Sequence, residues 1–161
     1  MTTFAHAGRV EWIGVRPSRD VPMQVLTRVE ALIDRGLKDD RTGDKSRAGN
    51  KRQVTLIQAE HLEVIARLLR QGAIDPALLR RNIVVAGINL LALKGQRFRI
   101  GEALLEMSGE CHPCSKMELQ LGDGGYNAMR GHGGITARVV EGGGILLGAA
   151  VVPAGPVPGQ P

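Results

Sequence analysis

Glycine breaks this sequence so often that a bundle of long helices is a poor solution for it. There are 22 glycines in 161 residues. Each tolerates the backbone conformations that tight turns demand and weakens a helix interior, which favours many short strands joined by turns. One segment escapes the punctuation. Ala59 to Gln71 carries Leu62, Ile65, Leu68 and Leu69 at helical spacing, with Gly72 following as a stop.

The rest of the chain reads mostly as strands. Gly8–Val15, Met23–Val29, Val54–Ile57, Asn82–Val85 and Gln96–Ile100 are short apolar or alternating runs. Arg99–Ala103 reads as a hairpin returning through Met107, and residues 135–152 as a closing hairpin around Gly142, Gly143 and Gly144. Asp34–Arg52 is a polar loop and Gly122–Gly134, with six glycines, another. Asp75-Pro76 starts a short helical turn, and Ser115–Leu121 forms one or two more. The pattern predicts a β-barrel or strongly bent sheet with helical decoration. Strands do not alternate with helices as a doubly wound fold requires. Residues 1–7 are expected to be a flexible N-terminus, 8–152 a single domain, and 153–161, with four prolines, a disordered tail.

Composition removes several functional classes. The aromatics are only Phe4, Trp12, Phe98 and Tyr126, too few for a base-stacking nucleic-acid platform. No apolar run is long enough to span a bilayer, and Met1–Ala7 has neither the basic nor the apolar region of a signal peptide. Two cysteines do not make a disulfide framework. These features predict a cytoplasmic protein with no membrane or nucleic-acid partner. Charge is uneven, however. Lys45–Arg99 holds eleven basic and three acidic residues, a net of +8, whereas the chain from Ile100 onward nets −3. A basic middle suits either a solvated face or an anionic partner such as a phosphate-bearing small molecule.

Chemistry concentrates in Glu110-Cys111-His112-Pro113-Cys114-Ser115-Lys116. A thiol follows a strand and precedes a helix start, where free amides and the helix dipole favour negative charge. Four readings remain open on these residues. They are two inert thiols, a redox C-x-x-C pair, half of a zinc site completed by His112 and His132, or one thiolate ligand to a cofactor metal. His112, Lys116 and His132 are candidate proton carriers. The loop Tyr126–Gly134, with Arg130, His132 and Gly133, can bring backbone amides close to an anion. Arg80-Arg81-Asn82 can fork onto phosphate oxygens, and Lys51-Arg52 enters a strand from a basic loop.

Taken in order, these segments resemble one family. Gly36-Leu37-Lys38-Asp39-Asp40-Arg41, Arg52–Glu60, Leu79–Val84, Phe98–Ala103 and Cys111–Lys116 resemble the successive motifs of MOSC domains, over about residues 8–152. The resemblance implies a mainly β fold built on a distorted closed barrel, with a few short helices and one longer one. It implies binding of molybdenum cofactor, a phosphorylated pterin, with Cys114 as the metal ligand and Cys111 not required. It places Arg80, Asn82 and Ile83 near the pterin phosphate; Lys51, Arg52, Arg130, His132 and Gly133, read from charge and loop setting, are added as candidate cofactor contacts, and His112 and Lys116 with Cys114 as candidate catalytic residues. Better-known relatives are oxidoreductases that reduce N-hydroxylated compounds; others act as sulfur carriers or in cofactor maturation. Asp39 stands where members often have glycine. No iron–sulfur or flavin motif is present, so an external electron donor, or a maturation protein, is the implied partner.

Overall fold

The computed structural model describes residues 1–44 and 48–159. Eleven strands occur in the order β1 (Gly8–Val15), β2 (Gln24–Leu26), β3 (Arg28–Leu32), β4 (Gly36–Leu37), β5 (Val54–Gln58), β6 (Ile83–Ala86), β7 (Gln96–Ile100), β8 (Ala103–Glu110), β9 (Ile135–Glu141), β10 (Gly143–Leu146) and β11 (Ala150–Pro156). Three α-helices, α1 (Ala59–Leu68), α2 (Lys116–Leu121) and α3 (Gly125–Met129), and short 3-10 turns at Arg41–Gly43, Pro76–Leu79 and Leu90–Leu93 complete them.

Seven strands close a barrel in the order β1-β6-β5-β9-β8-β7-β11, and β11 returns to β1 through Gly8↔Val151 and Arg9↔Ala150. On that same edge, β1 pairs with β2 further along, at Ile13↔Leu26 to Val15↔Gln24, so β2 lies outside the barrel. A separate sheet, β10-β3-β4, packs Val29, Ala31, Leu37 and Ile145 into the barrel core. Among the described residues the one parallel pairing, β5 with β6, is bridged by α1. Its residues alternate between two cores, as strand geometry requires. Leu56, Ile83 and Val85 enter the barrel with Phe98 and Leu105, whereas Ile57 and Val84 face outward against Ile65, Leu79, Met117 and Met129. That outer core fixes α1, α2 and α3 beside the thiol loop.

Five local expectations are corrected. Residues 135–152 are not a hairpin: β9 pairs with β5 and β8, β10 crosses to β3, and β11 joins β7 and β1. The loop expected over Gly122–Gly134 contains α3, because the Glu118 carboxylate accepts the N–H groups of Gly124 at 2.7 Å and Tyr126 at 2.8 Å and caps it. Residues 153–157, expected to be disordered, are ordered. β11 runs to Pro156 and the buried Val157 donates its N–H to Gly95; residues 160–161 lie outside the described residues. The loop at Asp34–Arg52 also contains β4 and a 3-10 turn, with residues 45–47 outside the described ones. α1 ends before Gly72. Arg70 takes the left-handed conformation at φ 54°, and Gln71 N–H closes on Ala66. Among the described residues no helix is long and apolar enough to cross a membrane.

Candidate functional site

The thiol loop joins the end of β8 to α2. Cys111 extends the strand ladder by one residue, donating its N–H to the Gly134 carbonyl at 2.8 Å, and its side chain is buried. Cys114 is exposed, and its carbonyl accepts the Met117 N–H at 2.9 Å in the first turn of α2. Glycine is required opposite this loop. A Cβ at Gly133 would stand 2.1 Å from the Cys111 carbonyl oxygen, and Gly134, at φ +89°, would put one 1.9 Å from that of Leu56.

Arg81 locks the loop from beneath. It is only 6% exposed, and its Nε and Nη1 donate to the Gly133 and Leu79 carbonyls at 2.8 Å each. Its Nη2 reaches the Cys111 carbonyl at 3.5 Å. Burial pushes the pKa of this guanidinium down, the two thiols oppose the shift, and Arg52 and Arg80 add to it. A guanidinium stays charged through such a shift. Arg52, Arg80, Cys111 and Cys114 thus each act electrostatically on Arg81. Arg52 Nη2 lies 3.9 Å from Cys111 Sγ.

Arg80 behaves differently from its neighbour. It takes a left-handed backbone conformation, φ 60° and ψ 28°, at the end of the Pro76–Leu79 turn. Such a conformation in a non-glycine residue is uncommon and costs about 1 kcal/mol. Arg80 lines a pocket of about 230 Å³ together with Arg16, Arg41, Arg52, Asp40 and Asn82. Four guanidiniums against one carboxylate make this an anion-binding environment. The carboxylate is itself committed. Asp40 accepts from Arg16 N–H at 2.8 Å, Thr42 N–H at 3.0 Å, the Thr42 hydroxyl, and Asn82 Nδ2 at 3.2 Å. Burial nevertheless holds its pKa above the ordinary carboxylate value, against the pull of those donors and of Arg41.

Asn82 is a structural knot. Its Oδ1 accepts from Thr55 N–H and Oγ1 at 3.1 Å each, and its Nδ2 donates to Gly14 O at 3.1 Å as well as to Asp40. Its side chain thus ties β1, β5 and the β4 connector together at the pocket floor. A larger cavity of about 570 Å³ shares Arg16, Met23 and Arg80 with the first and adds Lys116.

The remaining candidates separate. Lys116 and Arg52 belong to the cavities just described. Lys51 is exposed, and its carbonyl accepts the Ser108 hydroxyl. His112 lines a different cavity with Lys94 and Ser108, 3.9 Å from the Glu110 carboxylate. The His132 ring lies 3.0 Å from Ala128 O and packs edge-on against His61, with centroids 5.2 Å apart. Arg130 is exposed beyond α3. Sequence reasoning did not single out Arg16 or Asp40. Asp40-Arg41 stood inside a quoted motif, but nothing local marks Arg16, which meets Asp40 only through the fold. Among the described residues no group of three or more His, Cys, Asp or Glu side chains is placed to hold a metal ion.

A closed, strand-rich barrel with one exposed thiol and a pocket lined by four arginines defines a small β-barrel domain with a basic cleft. More particularly, the chain belongs to the MOSC domain family, whose model matches residues 43–152. It is similar in fold to the YuaD protein from Bacillus subtilis, at 19% identity and TM-score 0.78, covering 91% of this chain and 94% of that one. It is also similar to YiiM from Geobacillus stearothermophilus, at 18% identity and TM-score 0.73, covering 91% and 75% of the two chains. YiiM from Escherichia coli follows at 21% identity and TM-score 0.68, covering 92% and 71%. No curated protein matches the sequence.

Proposed function

We propose that this chain is a molybdenum-cofactor-binding module that reduces N-hydroxylated compounds with electrons from a separate donor protein. The observation that carries the reading is the exposed Cys114 thiol, two residues from Lys116, which lines the cavity that shares Arg16 and Arg80 with the arginine-lined pocket. The donor set fits the group. Cys114 Sγ offers a soft thiolate to molybdenum, and a single protein ligand suffices because the pterin dithiolene brings its own sulfurs. Arg16, Arg41, Arg52 and Arg80 offer forked donors to a phosphate. When bound, the cofactor supplies two-electron redox chemistry at its metal.

The chain's own residues orient and protect. Arg81 and Gly133 hold the backbone of the thiol loop, so that Cys114 is presented at a fixed place. Asn82 and Asp40 keep the pocket floor closed. Lys116 lines the adjoining cavity, where it can hold a proton for the departing oxygen of an N–O bond. Among the described residues no group of three or more His, Cys, Asp or Glu side chains is placed to hold a cluster, and the reading assigns the electrons to a separate donor protein.

Elemental analysis and oxidised-pterin fluorescence on protein from a molybdate-replete host test this directly. Molybdenum and pterin near one equivalent are expected in the wild type and in Cys111→Ser, and lost in Cys114→Ser. Loss in both variants, or zinc in place of molybdenum, overturns the assignment. Turnover of an N-hydroxylated substrate with an artificial donor is the second readout; one equivalent followed by arrest makes the chain a sulfur or cofactor carrier instead.

A further inference from the structure

We propose that the larger cavity is a substrate subsite for a small molecule joining an apolar body to a single carboxylate. This rests on the reading above and specifies its substrate class as carboxylate-bearing N-hydroxylated compounds. The cavity lies between the connector after β1, the Pro76–Leu79 turn and α2, and its roughly 570 Å³ is an ordinary volume for a small-molecule pocket.

Its charge is one-sided. Arg16, Arg19, Arg80 and Lys116 line it against Asp20 alone. Among the described residues none of those four side chains makes an ion pair or a side-chain hydrogen bond, in contrast to Arg28, Arg97, Arg99 and Arg138, which are all paired. Unpaired cations in a concavity concentrate anions there. Arg16 and Arg80 sit on the boundary with the smaller pocket, so Arg19 and Lys116 are the two cations that belong to this cavity by itself.

Its walls are also apolar. Met23, Leu78 and Leu119 face it, and Leu119 is 84% exposed. The reason is helical geometry. Met117 and Leu121 of α2 are buried in the outer core, and a residue two positions from each must point the other way. An exposed leucine beside unpaired cations suits a ligand with both characters. The cavity has no aromatic side chain, which removes the stacking a nucleobase would use.

Calorimetry with two probes, benzamidoxime and 4-carboxybenzamidoxime, tests the proposal on the cofactor-loaded protein with no electron donor supplied, where binding is read apart from turnover. The carboxylate probe is expected to bind at least tenfold more tightly than the neutral one. Arg19→Glu with Lys116→Glu should abolish that gap, and Leu119→Ser should weaken both probes alike. Equal affinities, or a gap that survives charge reversal, overturn the subsite. The same probes are then offered to cofactor-loaded wild type with an artificial donor. If neither is reduced while the affinity gap stands, the reductase reading fails and the subsite holds. If both are reduced with equal kcat/KM and no gap exists, the reverse is true.

Discussion

Arg80 and Arg81 are adjacent in sequence and opposite in use. Arg81 is buried and spends its donors on the carbonyls of Leu79, Gly133 and Cys111. Arg80 sits in a strained backbone conformation with a side chain that has no partner among the described residues, lining both cavities. The cysteines divide in the same way. Cys111 is inside, held by Gly134 and Arg52, and Cys114 is outside. A locked half thus supports an open half, one residue of each pair going to each. The lesson is that residue type and proximity in sequence do not assign a role here; satisfaction of donors and exposure do.

The widest separation should appear in thiol reactivity. Cys114 should alkylate with iodoacetamide in the native protein at least about a hundredfold faster than Cys111, which must wait for an opening event. Mass spectrometry of partially labelled protein reads this, and comparable rates would erase the division. Next comes stability. Arg81→Ala strands three buried carbonyls and should cost about 3 kcal/mol, a fall in Tm of roughly 6–12 °C, whereas Arg80→Gly relieves the left-handed backbone and should leave Tm unchanged or higher. Equal losses in the two variants contradict the comparison. Gly133→Ala should follow at about 2 kcal/mol in a denaturant titration, since the new Cβ must push the Cys111 carbonyl away.

The smallest effect is in pH. Asp34 is held below its ordinary value of 3.8 by hydrogen bonds from Gln53 and Arg138, so its stabilisation is present above that pH and is lost as pH falls through the lower folded value. Asp40 has the opposite sign. Its raised pKa gives a contribution complete below 3.8 that is lost as pH rises through the folded value. Asp34→Asn should therefore flatten the fall in Tm on acidification below about pH 4. An unchanged slope would show that this pair contributes nothing.

Much of this arrangement is legible in sequence where local chemistry decides it. The β7–β8 hairpin, α1, and the turn where the Asp75 carboxylate caps the Ala77 N–H all follow from short-range signals. The exceptions have tertiary causes. α3 depends on Glu118, whose carboxylate reaches it from the preceding helix. Gly143 and Gly144 can turn or extend, and pairing with β3 selects extension. Pro153 and Pro156 remain in a strand because β11 meets β1 only at its start; beyond Val151 that edge is open, and a missing N–H there leaves no broken bond. The thiol loop was visible as a motif. The pocket beside it was less so, because Arg16, Asp40, Arg52 and Arg80 converge from four separate segments.

The barrel's closing seam has a consequence for how the molecule is made. β1 and β11 meet across only Gly8↔Val151 and Arg9↔Ala150, joined further by Val10 N–H to Ala149 O. No chain still emerging from a ribosome can form that seam before its last strand is out. Until then β7, and the part of β1 that β2 does not cover, wait with an unpaired edge, the condition under which chains pair with their neighbours instead of themselves. Shortening the chain ahead of Ala150 should therefore yield aggregation rather than a smaller barrel, and the interval between β10 and β11 is when a nascent chain most needs a chaperone.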